Sequence, residues 1–124
     1  MATRSSWIAV GALNAAIAVG AGAFAAHGLR DRLDARALEV FETGARYQMY
    51  HALAIVLAGV IASATSVRGA QAAAAIFQVG IVLFSGSLYA LALTGTRGLG
   101  AITPIGGLAF LAGWIWLAVI SLRD

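Results

Sequence analysis

Four uncharged stretches divide this chain: Ser5 to Leu29, Tyr47 to Val67, Gly69 to Thr96 and Gly98 to Leu122. All eight arginines and all five acidic residues fall outside them. A helix needs roughly 20 consecutive apolar residues to cross about 30 Å of hydrocarbon, and each stretch meets that length. The spacers are too short for large soluble domains. The pattern predicts an all-α integral membrane four-helix bundle, one domain over residues 1–124, with spans at about 7–26, 47–66, 70–93 and 104–122.

Spans free of Asp, Glu, Lys and Arg lack the usual machinery of ion pathways, proton relays and voltage sensors, which argues against those functions. The net charge of +3 arises from few charges rather than from a basic patch, so nucleic acid is not an expected partner. Without cysteine there is no disulfide, thiol nucleophile or thiolate metal site, and any metal would need His, Asp or Glu. Arg4, the following apolar run and Ala23-Phe24-Ala25 imitate a secretory signal. The run exceeds the roughly 7–15 residues of a signal core, and we expect it to be retained as a span.

The links differ in character. Ser66 to Ala70, around Arg68, and Thr94 to Thr103, around Arg97, are tight hairpins. The first link instead holds eight charges between Arg30 and Arg46, with apolar residues at Leu33, Ala37, Phe41 and Ala45. Spacing by four predicts an amphipathic helix over about 34–46, lying on the membrane surface, with Asp34 as N-cap and Gly44 as its bend into the second span. Gly95 suits the end of the third span, and Thr103 with Pro104 the start of the fourth. Five arginines on the amphipathic side against three on the other predict that side in the cytoplasm and both termini outside. The expected location is the bacterial inner (plasma) membrane.

Following each span's direction gathers His27, Tyr47, Tyr50, His51 and Tyr89 at one interface, together with Glu42 and Arg46. Glu42 and Arg46, Arg46 and Tyr50, and Tyr47 and His51 are each four apart, and such residues touch on one helix face. Two readings stay open. One is an aromatic belt anchored at headgroup level, with a Glu–Arg pair steadying the helix. The other is a pocket for a headgroup, quinone or cofactor, with Arg46 holding an anion and the histidines donating hydrogen bonds or binding metal. Two histidines on adjacent helices could also bind a haem, a weak signal without further ligands.

Deeper in the spans, Asn14 and Gln78 enter from the same side and are expected to hydrogen-bond across the bundle. Ser85 and Ser87 lack the pattern of a nucleophile, and no acid in a span could orient a histidine base, so packing or back-bonding is expected. Small residues recur by four at Ala12, Ala16 and Gly20, at Gly86 and Ala90, and at Ala109 and Gly113, stripes that let helices approach within the bundle or between protomers.

The stretches Gly22-Ala-Phe-Ala-Ala-His-Gly-Leu29, Phe41-Glu-Thr-Gly-Ala-Arg-Tyr-Gln-Met-Tyr-His-Ala-Leu53, Phe84-Ser-Gly-Ser-Leu-Tyr89 and Leu99-Gly-Ala-Ile-Thr-Pro-Ile-Gly-Gly107 resemble a small membrane-protein family of unknown function that includes transmembrane protein 256. The resemblance covers nearly the whole chain and implies four membrane helices. The family pattern often reads Ala-Val where this chain has Gly44-Ala45. No catalytic residue comes with it, and no metal or cofactor is expected, but its motif residues coincide with the polar group above.

These observations favour a non-enzymatic interaction, assembly or accessory subunit, with membrane lipid, a homo-oligomer or a larger membrane complex as partners. The alternative is a binder or transporter of a lipid-like or small neutral molecule at the His/Tyr interface. A haem- or quinone-binding redox subunit is the third.

Overall fold

The second helix carries the largest departure from these expectations. In the computed structural model, which describes residues 4–123, α2 runs unbroken over Ala35–Ala64. It joins the amphipathic segment and the second span into 30 residues, roughly 45 Å of helix against about 30 Å of hydrocarbon. The other long helices are α1, Arg4–His27, α3, Ala70–Thr94, and α4, Thr103–Arg123, with a short 3₁₀ segment, Arg97–Ala101, between the last two. All four are long and apolar enough to cross a membrane.

The separate surface helix is therefore corrected to the first turns of α2. No proline or C-cap signal interrupts the chain at the expected junction, and the apolar residues of this segment are not turned to lipid. Phe41 and Ala45 are buried, and Phe41 forms a small cluster with Ala25 and Leu29 near the end of α1 and Ala92 near the end of α3. Gly44 is not a bend. It is buried where α2 meets α3: a Cβ there would lie 3.0 Å from a Tyr89 ring carbon and 3.3 Å from the Ser85 carbonyl oxygen.

Helix ends follow local chemistry. Asp34 caps α2 through a 2.7 Å bond from the Ala37 N–H to its carboxylate. Gly95 closes α3 at φ 70°, a left-handed conformation that suits glycine, with its N–H bonded to the Leu91 carbonyl at 2.8 Å. Thr103 is a correction: it is the first residue of α4, and its hydroxyl bonds Ser87 Oγ of α3 at 2.6 Å instead of capping its own helix. Ser87 also donates to the Phe84 carbonyl, whereas buried Ser85 Oγ has no hydrogen-bond partner.

Consecutive helices pair most extensively, α1 with α2, α2 with α3 and α3 with α4. The larger core, with Ile55, Phe77, Ile81, Phe110 and Ile120, lies among α2, α3 and α4. Here α3 and α4 interlock reciprocally. Phe77 fills the space a Cβ would take at Gly113, and Phe110 the space at Gly80. Trp116 donates to the Gly69 carbonyl at 2.9 Å, tying α4 to the turn before α3, and Arg123 stands 5.3 Å over its ring. Outward-facing Leu13, Leu108, Leu111 and Ile115 are exposed, as the lipid-facing side of a membrane protein requires.

Candidate functional site

The interlock that sets Phe77 and Phe110 also builds the walls around His51. Its ring lies parallel to Phe110, with centroids 3.5 Å apart and planes 6° apart, and meets Phe77 at 5.6 Å, Trp114 at 5.9 Å and Tyr47 at 6.3 Å. Both ring nitrogens are engaged. The indole N–H of Trp114 donates to Nε2 at 3.1 Å, and Nδ1 lies 2.8 Å from the Tyr47 carbonyl oxygen. Indole can only donate and a carbonyl can only accept, so these partners assign the neutral tautomer with its proton on Nδ1. In that state neither nitrogen is left to bind a metal.

Beside the imidazole a groove of about 470 Å³ opens between α2 and α4, lined by Tyr47, Tyr50, His51, Phe84, Gly107, Phe110, Leu111 and Trp114. Its lining holds no Asp, Glu, Lys or Arg. Tyr47 and Tyr50 are exposed at its edge, their rings edge-to-face at 5.5 Å.

A second polar feature threads α1, α2 and α3. Tyr89 O–H donates to Gln48 Oε1 at 2.7 Å, Gln48 Nε2 donates to Asn14 Oδ1 at 3.1 Å, and Asn14 Nδ2 donates to Gln78 Oε1 at 2.6 Å and to the Val10 carbonyl at 3.0 Å. The expected Asn14–Gln78 contact is thus part of a longer chain whose centre, Gln48, sequence reasoning missed. The missed signal was simple: an amide inside an apolar span must find a partner.

This chain also fixes depth. Asn14 lies about midway along α1, so Gln48 and the neighbouring His51 sit near the middle of the bundle rather than at its end. Tyr47, Tyr50 and His51 share the groove. Tyr89 is not among the groove residues and packs against Phe41 at 4.8 Å. His27 is exposed in the last turn of α1 and is not among the groove residues, so the two histidines do not form one site.

Glu42 and Arg46 line a shallow cleft between α1 and α2 with Ala18, Gly22, Ala45 and Met49. They form no salt bridge: among the described residues the one ion pair is Arg36 with Glu39, at 4.0 Å and exposed. Nor do the described residues contain a cluster of three His, Asp or Glu side chains that could hold a metal.

Four spanning helices, an amide–phenol chain joining three of them and an apolar side groove define a small polytopic integral membrane protein. Residues 21–107 match the family described as "Protein of unknown function (DUF423)", and the chain belongs to that family. It is 50% identical over 117 residues to a UPF0382 membrane protein of Staphylococcus epidermidis, an alignment covering 94% of this chain and 95% of the relative. It is 46% identical over 118 residues to the UPF0382 membrane protein YwdK of Bacillus subtilis, covering 94% and 96%. Such relatives and the four apolar helices make this a membrane protein of the bacterial inner-membrane type. No solved structure matches the chain significantly.

Proposed function

We propose that this protein is a non-enzymatic membrane protein that holds a lipid-like molecule in the groove between α2 and α4. The observation that carries this reading is the groove itself: about 470 Å³, walled by aromatic rings and open beside α4, whose neighbouring residues face lipid. The absence of acids from its lining and the engagement of both His51 nitrogens support binding over catalysis, because neither a carboxylate nor a free imidazole is there to move a proton. Trp114 supplies the test. In a variant keeping it as the sole tryptophan, brominated lipid should quench its fluorescence saturably at low lipid content. Quenching that rises only in proportion to total lipid, as for any bilayer-facing indole, would refute the groove as a site.

Assembly is the second reading, and one observation favours it. Ala12, Ala16 and Gly20 of α1 are exposed along one face, and a Cβ at Gly20 would meet nothing within 4 Å. A small-residue face turned outward allows close approach by another membrane helix. Gly20→Leu should leave the mass of the detergent-solubilised particle unchanged if this face meets only lipid, and should lower it if the face joins protomers or an accessory partner.

A further inference from the structure

The groove lies on helix faces that continue toward the charged end of the bundle. On α2, Val40 stands seven residues before Tyr47, and on α3, Leu91 stands seven residues after Phe84. Positions seven apart share one side of a helix and are separated by roughly 10 Å along its axis. Where these two stripes reach the charged end they wall a second cavity of about 530 Å³. Val40, Leu91 and Ala92 give it apolar sides, and Arg36 and Arg97 flank it from different elements, the first turn of α2 and the start of the 3₁₀ segment.

The charges favour an anion. Asp34 is the one acid lining the cavity, and its carboxylate accepts the Ala37 N–H at the helix start. Arg36 has only the exposed 4.0 Å pairing with Glu39, and Arg97 has no salt bridge among the described residues. Within the lining itself, two guanidinium groups therefore stand against one carboxylate over an apolar floor, Glu39 lying outside it. Guanidinium forks match phosphate oxygens, and apolar walls suit the chain of a lipid rather than a free ion.

We propose that Arg36 and Arg97 hold the phosphate of an anionic lipid whose hydrocarbon chain runs along α2 and α3 into the aromatic groove. This rests on the groove being a lipid site. Native mass spectrometry of the full chain in neutral detergent tests both, using phosphatidylglycerol, a diacylglycerol with the same chains, and inorganic phosphate as probes. Two variants separate the parts. Arg36→Gln/Arg97→Gln changes two exposed side chains, and Gly107→Leu fills the groove, where a Cβ would reach no closer than 3.9 Å to Phe84.

The natural chain should prefer phosphatidylglycerol to diacylglycerol by about tenfold, the scale of one or two charge-assisted hydrogen bonds. The arginine variant should lose that preference without changing diacylglycerol binding, and Gly107→Leu should weaken both lipids. A preference that survives the arginine changes overturns the phosphate site, even if Gly107→Leu still weakens both lipids and the groove stands. Lipids indifferent to Gly107→Leu overturn the groove and the proposal together. Loss of inorganic phosphate binding alone, with phosphatidylglycerol unaffected, would reassign the arginines to a soluble anion and also overturn it.

Discussion

Replacing Gln48 by Leu tests whether the amide–phenol chain stabilises the bundle. Gln48 accepts from Tyr89 at 2.7 Å and donates to Asn14 at 3.1 Å, so the change deletes two interhelical bonds while keeping a side chain of similar size. Hydrogen bonds between membrane helices contribute about 0.6 kcal/mol on average and up to about 1.7. Two such bonds, with the Tyr89 hydroxyl and Asn14 Oδ1 left without partners, give an expected loss of about 1–3 kcal/mol. Tyr89→Phe removes one bond and should cost about 0.5–1.5 kcal/mol. In reversible unfolding in mixed micelles, the double variant should lose less than the sum of the two, by about 0.6 kcal/mol or more, because the bond they share can be lost only once. Strict additivity, or a Gln48→Leu protein as stable as the natural chain, would refute an energetic role for the contact.

Further substitutions probe the packing. Gly44→Ala should be neutral or destabilising in the same assay, because Tyr89 must give way; a gain of about 1 kcal/mol, usual for Gly to Ala inside a helix, would show that Gly44 is not a contact residue. Gly106→Ala should cost about 1–3 kcal/mol, since its Cβ would overlap the Leu83–Phe84 backbone; unchanged stability would mean that α3 and α4 are not so close. Trp114→Phe should cost about 1 kcal/mol and free His51 Nε2, detectable as a shift in that nitrogen's NMR resonance; an unmoved resonance would deny the bond.

The spans were legible because charge is excluded from hydrocarbon, and their number and order follow directly from where the arginines and acids stand. The continuity of α2 was less legible. Charges at Arg36, Glu39, Glu42 and Arg46 looked like a surface segment, and Gly44 looked like a hinge, when each residue was weighed against water and headgroups alone. What holds Ala35–Ala64 as one helix is tertiary: Phe41 packs with Ala25, Leu29 and Ala92 at the ends of the two neighbouring helices, and Gly44 admits Tyr89. Periodicity reports which face is apolar, but not whether lipid or another helix covers it.

The same distinction governs the site. Treating Tyr47 as the membrane edge put His51 and His27 together, whereas the bond from Gln48 to Asn14 draws this part of α2 toward the middle of α1. Three of the chain's four side-chain amides, Asn14, Gln48 and Gln78, lie well inside helices, and they meet one another. In hydrocarbon an unpaired amide costs several kcal/mol, so such residues carry register information that hydropathy lacks. Once that register is set, the rest of the site follows. His51 falls level with Phe77, which Gly113 admits, and with Phe110, which Gly80 admits. The imidazole is thereby enclosed by rings with both nitrogens satisfied, beside a groove whose lining carries no carboxylate, guanidinium or amine.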